Sequence, residues 1–401
     1  MAEFTYTDAQ WAALAQYVKE HAGDDVHRLM LKSEPGLSFD KRFAMTQIEC
    51  RQRARHKIAE ILECDGYIFA KPICAEQCTH ELVAKLHAEL IGDAGTVLDM
   101  TMGQGVDSHY IAQRVQSVTA IEMDPLIAAA GKHNAAVLHN GVQVIEADST
   151  QWLESTDAHF GAIFIDPARR AASGKRLFGL SDCQPDVLGL LPLIKKHTSR
   201  LVIKASPMVD VTQGCRDLAP WLTHVWVVSV KNECKELLFD LDFSHETIWP
   251  KRHAVNFTAN GDRQEFTAPK YEDCLAFADP TEGCHLLEPN VSIMKLGAHQ
   301  VVASHYRAIN VAPDSHLYVA SEPPEDFPGR VFMVDEVVEW SSSAAKRLAK
   351  EHKQLNVATR NFKLSADALK KKLRVTDGGN CYAFGTTLSS GKQVLLLCHK
   401  A

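Results

Sequence analysis

Long apolar runs and export signals are absent from this chain of 401 residues. No uncharged apolar run approaches the roughly 18 residues that cross a membrane. The first ten residues lack a basic stretch followed by an apolar core, so we expect no secretory signal. With 46% hydrophobic and 23% charged residues, the composition indicates a soluble globular protein that has no membrane partner.

Paired cysteine spacing is also absent. The eleven cysteines are scattered and odd in number, which favours reduced thiols in the cytoplasm over a disulfide framework. Cys74 and Cys78 lie close together, but no second pair or histidine partner completes a zinc pattern. The sequence therefore predicts a cytoplasmic protein without a metal site.

Acidic residues are scarce near the end of the sequence. From residue 341 onward, twelve Lys and Arg stand against three Asp and Glu, a net charge of +9 in a chain whose total is −7. A basic module on an acidic body favours an anionic polymer as partner. The alternative is a solvated helix face.

Patterning divides the chain into parts of different character. Helical periodicity dominates at the start, and it predicts a long third helix over 40–63 and a later helix over 80–90 that is capped by Thr79. Short apolar runs that alternate with helices then predict a parallel sheet covered on both faces, whose seventh strand is antiparallel. We expect four domains, with the bounds 1–71, 72–245, 246–325 and 326–401.

A glycine-rich turn follows the first strand of the expected sheet. Gly103 and Gly105 let the backbone turn sharply and approach a ligand closely. Asp99 and Asp107 place carboxylates on either side of the turn. A phosphate-binding loop would avoid these acids, because its N–H groups and the helix N-terminus attract anions. We therefore predict a ligand that brings a cation.

Acidic residues also end the next strands, at the sheet edge where open parallel sheets bind ligands. Glu122 lies where an acid binds ribose hydroxyls in nucleotide-binding folds. Asp148 is placed to accept from an adenine amino group, and Asp166 ends the fourth strand beside the reacting centre. This set favours S-adenosylmethionine, which has no phosphate. A dinucleotide dehydrogenase would need a third small residue where this chain has Ser108.

Several motifs give the chain a resemblance to a known family. Residues 99–108 look like the first motif of class I S-adenosylmethionine-dependent methyltransferases. More specifically, the chain resembles bacterial methyltransferases with a C-terminal THUMP-like domain, over nearly all of its length after about residue 40. The other motifs that carry this resemblance are 76–79, 166–170, 204–208, 232–236, 288–290 and 359–362.

The resemblance implies an α/β fold with a seven-stranded, mostly parallel Rossmann-like sheet. A helical domain precedes this sheet, and small ferredoxin-like and THUMP-like modules follow it. THUMP modules in related enzymes bind RNA, so the resemblance also implies an RNA substrate such as tRNA or rRNA. The residues that we expect to bind the cofactor are Gln77, Asp99, Thr101, Gly103, Gly105, Asp107, Glu122, Met123 and Asp148.

The acceptor side is expected at Asp166, Pro167 and Arg169. Amino methyltransferases often have a second proline and an aromatic residue after the Asp-Pro pair, and the aromatic ring stacks on the base. Here Ala168 and Arg169 stand at those positions, which argues against methylation of an adenine amino group. Asp166 can still accept from a substrate N–H, while Arg169 and Arg170 can contact phosphate or a base edge.

An acid-proline-x-arginine end is also similar to methyltransferases that alkylate a pyrimidine carbon after attack by a cysteine. Cys183 and Cys234 lie in loops that can reach this edge, so both stay open as nucleophiles. Lys204, Ser206 and Asp210 are either substrate contacts or turn caps. For the whole chain, the alternatives are a non-catalytic RNA-binding protein on a methyltransferase scaffold and a small-molecule methyltransferase.

Overall fold

The computed structural model describes residues 6–169, 179–270 and 276–401, without the side chains of Arg169 and Gln300. The chain forms two compact units, and each is described by itself. The first unit is Met1–Thr223 with Leu238–Ile248, and the second is His224–Leu237 with Trp249–Ala401.

The first unit alternates helices and strands after an N-terminal helical region. Its helices are α1 (Asp8–Glu20), α2 (Val26–Leu31), α3 (Lys41–Ala54), α4 (Pro72–Gln77), α5 (Glu81–Ile91), α6 (Val106–Ala112), α7 (Pro125–Val137), α8 (Ser149–Ser155), α9 (Val187–His197) and α10 (Val211–Asp217). Its strands are β1 (Thr96–Asp99), β2 (Ser117–Glu122), β3 (Gln143–Glu146), β4 (Ala162–Ile165), β5 (Ala168–Arg169), β6 (Cys183–Gln184) and β7 (Arg200–Ala205).

The N-terminal helices begin at polar caps and pack around a small apolar core. In α1, Thr7 and Gln10 form a capping box, in which each side chain accepts from the backbone N–H of the other. Asp40 caps α3 by accepting from two backbone N–H groups. The buried core of these helices includes Leu14, Leu29 and Ile48.

The third helix is shorter than predicted. We expected it over 40–63, but α3 ends at Ala54. The guanidinium of Arg51 donates to the carbonyl oxygens of residues 62, 64, 65 and 67 at 2.9–3.1 Å. These bonds hold the segment after α3 in an irregular path. A helix could not bring these four carbonyl groups together around one guanidinium group.

Five parallel strands form the sheet of the first unit in the order β7-β4-β1-β2-β3. Val97 and Leu98 of the central strand β1 are buried, as is all of β4. β2 and β3 lie on one side of β1, and the later strands β4 and β7 lie on the other, so the strand order reverses there. The carboxyl ends of these strands share one edge, where such sheets bind ligands.

The helix that precedes β1 begins differently from the prediction. We expected Thr79 to cap it, but the ring of His80 accepts from the N–H of Leu82 at 3.3 Å. Thr79 is buried instead. Its hydroxyl donates to the carboxylate of Asp107 and therefore does not cap the helix.

The predicted terminal hairpin is present as β8 (Leu222–Val230) and β9 (Glu233–Asp242), two strands that run from one unit into the other. Two further strands, which we did not assign to this sheet, continue it in the second unit. These are β10 (Lys251–Phe257), parallel to β8, and β11 (Arg263–Ala268), antiparallel to β10. Buried His253 and Asn256 interrupt the apolar pattern of β10. The strand can bury these polar side chains because they form hydrogen bonds with Thr267 and Gln264 of β11.

The second unit also contains a seven-stranded sheet with the order β13-β14-β12-β15-β18-β17-β16. Its strands are β12 (His285–Pro289), β13 (Ile309–Asn310), β14 (Tyr318–Ala320), β15 (Gly329–Glu339), β16 (Asn356–Arg360), β17 (Cys381–Thr387) and β18 (Gln393–Lys400). Its helices are α11 (Val291–Leu296), α12 (His299–His305), α13 (Ser342–Glu351) and α14 (Ala366–Leu373). Phe332, Phe384 and Leu396 lie in its core.

The architecture confirms the predicted α/β class, with helices first, a mostly parallel sheet next and small α+β modules last. Among the helices in the described ranges, none combines the length and the apolarity that a membrane span requires.

Candidate functional site

Asp99 ends β1 and lies beneath the glycine-rich turn. Its Oδ1 accepts from the N–H of Thr101 at 3.0 Å, and its Oδ2 accepts from the hydroxyl of Ser108 at 2.5 Å. The residue is 1% exposed, and burial raises the pKa of its carboxyl to about 7. Asp99 therefore ties the start of the turn to the first turn of α6 and fixes the shape of the turn from inside.

Both glycines of the turn need the backbone conformation that only glycine adopts at little cost. Gly103 has a φ of 54° and Gly105 a φ of 78°. The N–H of Gly103 donates to Oε2 of Glu122 at 3.0 Å, and the N–H of Asp124 donates to Oε1 at 2.8 Å. The Glu122 carboxylate thus joins the turn after β1 to the end of the neighbouring strand β2.

The ends of β2 and β3 add an apolar side chain and a carboxylate to this edge. Met123 follows Glu122 and is 63% exposed, which is unusual for a large apolar side chain. Asp148 caps α8, because its Oδ1 accepts from the N–H groups of Thr150 and Gln151 at 2.9 and 3.1 Å. Within the described residues, Oδ2 of Asp148 has no hydrogen-bond partner. Both side chains can still contact a ligand.

Asp107 is turned into the interior and not toward the open side of the turn. Its Oδ2 accepts from the Thr79 hydroxyl at 2.5 Å and lies 3.6 Å from Nζ of Lys204, and its Oδ1 accepts from Nδ1 of His87 at 2.8 Å. Burial raises the pKa of the Asp107 carboxyl, but Lys204 and His87 outweigh burial and hold the pKa well below its ordinary value. Asp107 is the centre of a buried network.

Asp166 follows β4 and reaches both the turn and that network. Its N–H donates to the Thr101 hydroxyl at 2.7 Å, and its Oδ2 accepts from Nζ of Lys204 at 2.6 Å. Its side chain is 39% exposed, whereas Pro167 is buried. The structure therefore brings the predicted acceptor carboxylate beside Thr101, one of the predicted cofactor residues.

The segment after Pro167 forms a short ribbon. Ala168 and Arg169 make up β5, in which Arg169 stands opposite Cys183 of β6. The side chain of Arg169 and the whole of Arg170 lie outside the described residues, so their predicted phosphate or base contacts stay predictions. Gln77, another predicted cofactor residue, is exposed at the end of α4.

Neither cysteine offered as a nucleophile has the environment that such a residue needs. Cys183 is 5% exposed, and its Sγ lies 3.8 Å from the carbonyl oxygen of Gly179. Cys234 belongs to the second unit, where burial raises the pKa of its thiol to about 11. A nucleophilic cysteine reacts as its thiolate, which burial in apolar surroundings disfavours.

Ser206 and Asp210 serve as turn caps. The Ser206 hydroxyl accepts from the N–H of Met208 at 3.3 Å, and Asp210 accepts from the N–H of Gln213 at 2.7 Å. Sequence reasoning did not single out His87, which looks like an ordinary residue of a buried helix. Its ring is fully buried against Asp107. Within 6–169, 179–270 and 276–401, no group of three or more His, Cys, Asp or Glu side chains could hold a metal ion.

Three family models match successive parts of the chain. Residues 76–161 match the family described as ribosomal RNA adenine dimethylase, and they include the turn and the acids of β1 to β3. Residues 285–328 match a ferredoxin-like domain, and residues 329–400 match a THUMP-like domain.

One solved structure resembles nearly the whole chain. It comes from Porphyromonas gingivalis W83 and is described as a candidate methyltransferase, with 28% identity, 99% of this chain and 100% of that chain covered, and a TM-score of 0.88. An rRNA methylase from Streptococcus thermophilus is 14% identical over 40% of this chain and 94% of its own, with a TM-score of 0.31. A Streptococcus mutans protein in complex with S-adenosylhomocysteine is 14% identical over 40% and 97%, with a TM-score of 0.29. Among curated proteins, none matches the chain.

Proposed function

We propose that this chain, which belongs to the class I S-adenosylmethionine-dependent methyltransferases with C-terminal ferredoxin-like and THUMP-like modules, methylates a nitrogen of an RNA base in the cytoplasm. The observation that carries the proposal is the sheet edge, where Glu122, Asp148 and Asp166 end successive strands around the glycine-rich turn. The match of residues 76–161 to the rRNA adenine dimethylase family supports RNA as the substrate.

The residues at this edge fit S-adenosylmethionine. Glu122 has acceptor capacity beyond its two backbone bonds, since each carboxylate oxygen accepts more than one hydrogen bond, and it would hold the ribose hydroxyls. Oδ2 of Asp148 would accept from the adenine amino group, and exposed Met123 would cover the adenine ring. The buried acids Asp99 and Asp107 would support the turn without touching the ligand. The bound cofactor supplies a methyl group on a positively charged sulfur.

Asp166 would orient the acceptor. Its exposed carboxylate can accept a hydrogen bond from an N–H of the base, which directs the lone pair of that nitrogen toward the methyl group. A nitrogen acceptor needs no protein nucleophile. This agrees with the burial of Cys183 and the raised pKa of the Cys234 thiol.

Exposed cations on two helices of the THUMP-like module support RNA as the partner. Lys346 and Lys350 lie on α13, and Lys371 and Lys372 lie on α14, all of them exposed. Ion pairs with acids of the same module occupy Arg347 and Lys370, but no ion pair is found for these four lysines within the described residues. Lysines of this kind bind phosphates through charge, with little sequence preference.

Nucleoside analysis tests the proposal. RNA from cells with and without the gene is digested and compared by mass spectrometry, and purified protein is then added to RNA from the deletion strain with methyl-deuterated S-adenosylmethionine. We expect one N-methylated nucleoside to disappear on deletion and to return with the deuterated label. Label on a pyrimidine carbon would contradict the nitrogen acceptor, and label only in a small-molecule extract would contradict RNA.

Cofactor binding is tested without any substrate. S-adenosylmethionine should raise the melting temperature of the wild-type protein, and Glu122→Ala should remove most of this shift. The control is Glu154→Ala, because Glu154 is exposed on α8 and away from the strand ends. No shift at millimolar cofactor would contradict the enzyme and favour an RNA-binding protein on a methyltransferase scaffold.

A further inference from the structure

Lys204 is a buried ammonium group on β7, behind the edge where the strands end. Its side chain is only 11% exposed. A buried charge costs several kcal/mol unless it is paired and hydrogen-bonded, so the surroundings of Lys204 must compensate for it.

Residues of three different segments provide this compensation. Nζ of Lys204 donates to Oδ2 of Asp166 at 2.6 Å and to the Thr79 hydroxyl at 2.8 Å, and it lies 3.6 Å from Oδ2 of Asp107. The Thr79 hydroxyl in turn donates a 2.5 Å hydrogen bond to Oδ2 of Asp107. Lys204 is therefore held from behind by Thr79 and Asp107, and it holds Asp166 in front.

Exposure is lowest at one end of this network and highest at the other. The His87 side chain is 0% exposed, Asp107 and Lys204 are 12% and 11% exposed, and Asp166 is 39% exposed. The network thus runs from a fully buried ring to the partly exposed carboxylate of Asp166. A purely structural ion pair would gain nothing from placing one partner at the ligand edge of the sheet.

We infer that Lys204 is a positioning residue that fixes one oxygen of Asp166 and keeps this carboxylate ionised, so that Asp166 acts as a hydrogen-bond acceptor for the substrate N–H and not as a base that stores its proton. This inference rests on the proposed function. The nitrogen–methyl bond forms as the sulfur–methyl bond breaks, and the proton of the methylated nitrogen leaves for solvent water.

Other ionisable groups also face Lys204 and Asp166. Asp107 faces them from α6, and His87 of α5 acts through Asp107. Asp99 at the end of β1 feels the charges of Asp107 and Asp166, and the Cys78 thiol after α4 feels those of Asp107 and Lys204. Nζ of Lys204 lies within hydrogen-bond reach of the acceptor carboxylate, so the removal of Lys204 should have a large effect on Asp166.

A titration without substrate tests the inference. Carbon-13 labelled aspartate lets nuclear magnetic resonance follow the protonation of Asp166, with Asp166→Asn used to assign the signal. In Lys204→Met, Asp166 should take up its proton at a higher pH than in wild type, and Lys204→Arg should restore most of the difference. Equal titration in wild type and Lys204→Met would overturn the inference.

Lys204→Met leaves Asp107 buried without its cation and can fail to fold. The double variant Lys204→Met/Asp107→Asn removes both charges together and keeps the test open. Thr79→Val supplies a milder perturbation, because it keeps the charges and removes the hydroxyl that holds Lys204. It should shift the Asp166 titration in the same direction by a smaller amount.

Kinetics then tests the role of Lys204 in catalysis. With total RNA from the deletion strain as the probe, Lys204→Met should lower kcat by about 100-fold, as expected for a misplaced catalytic group, with an unchanged KM for S-adenosylmethionine. The acid limb of its pH profile should move to higher pH. An unchanged kcat and pH profile would overturn the inference. If wild type labels no RNA, the proposed function fails, and the titration still decides whether Lys204 controls Asp166.

Discussion

Each unit contains a buried charged side chain that pairs with two groups of opposite charge, but the two clusters end in different kinds of site. In the first unit, Lys204 lies between Asp107 and Asp166. In the second unit, Glu288 is 3% exposed, and each of its oxygens accepts from one arginine, Arg330 or Arg360, at 2.7 Å. The first cluster ends in a carboxylate at the ligand edge of a sheet, whereas the second ends in two arginines that join strands.

The position of Glu288 in its sheet explains the second cluster. Glu288 stands directly opposite Arg330 on neighbouring strands β12 and β15. Arg360 ends β16, which is four strands away from β12, or about 19 Å in a flat sheet. The hydrogen bond between Arg360 and Glu288 therefore requires the sheet to curl. A buried charge can thus serve chemistry in one unit and sheet curvature in the other.

The largest effect should follow from removal of the exposed carboxylate of the first cluster. Asp166→Asn should lower methyl transfer to RNA about 1,000-fold, because the amide no longer offers an ionised acceptor beside the substrate. Cofactor binding, measured by calorimetry, should stay within twofold of wild type. Asp157→Asn, in an exposed loop, is the matched control. Full activity of Asp166→Asn would contradict a role of the first cluster in methyl transfer.

A buried acid that receives hydrogen bonds from neutral donors should behave differently from either cluster. Burial raises the pKa of Asp99 in the folded protein to about 7, above its ordinary value of 3.8. The folded state then binds more protons than the unfolded state between about pH 4 and 7, so the free energy of unfolding should fall as the pH rises through this window. The upper limit of the fall is about 4 kcal/mol.

Asp99→Asn should abolish this fall, since the amide does not titrate. Urea unfolding between pH 4 and 8 measures it, with Asp93→Asn at an exposed position as the control. Asp107 should show the opposite sign, because its lowered pKa gives stability that is present at neutral pH and lost on acidification. The same pH dependence in wild type and Asp99→Asn would contradict the assignment.

Glu288→Gln should cost stability without loss of catalysis. The variant replaces the carboxylate by a neutral amide, whose NH2 group cannot accept from an arginine, but both arginines are more than 40% exposed and can regain water. We therefore expect the free energy of unfolding to fall by about 2 kcal/mol. Methyl transfer should be unchanged at temperatures where the variant is folded, and Glu282→Gln at an exposed position should change neither quantity. A loss of kcat in folded Glu288→Gln would contradict a purely structural role of the second cluster.

Much of this site is predictable from sequence, because strand ends are local features. Asp99, Glu122, Asp148 and Asp166 each follow a short apolar run, and a parallel sheet must gather such ends at one edge. The direction in which a side chain turns is a tertiary property. Asp107 belongs to the same motif as Asp99, yet it faces His87, and nothing near it in the sequence indicates this contact.

The sequence predictions of individual elements failed where tertiary contacts override the local pattern. α3 ends early because Arg51 binds carbonyl groups that are 11 to 16 residues away in sequence. We did not assign β10 to the sheet, because His253 and Asn256, which find partners in β11, interrupt its apolar pattern. Thr79 follows the pattern of a helix cap but donates to Asp107, 28 residues further on. In each case a polar group is satisfied by a distant partner that sequence periodicity does not reveal.

The smallest effect concerns single cations of the THUMP-like module. Lys346 of α13 and Lys371 of α14 are exposed and should contact RNA phosphates. Lys346→Glu or Lys371→Glu should each reduce the slope of log affinity against log salt by about 1, with a modest loss of affinity at low salt. Fluorescence anisotropy with a labelled tRNA measures both quantities. Lys392→Glu, in the turn between β17 and β18, gives a charge change of equal size as the control. A surface that binds phosphates should depend on the positions of its lysines. Equal losses of RNA affinity in all three variants would therefore indicate that net charge, and not a cationic face on α13 and α14, binds the RNA.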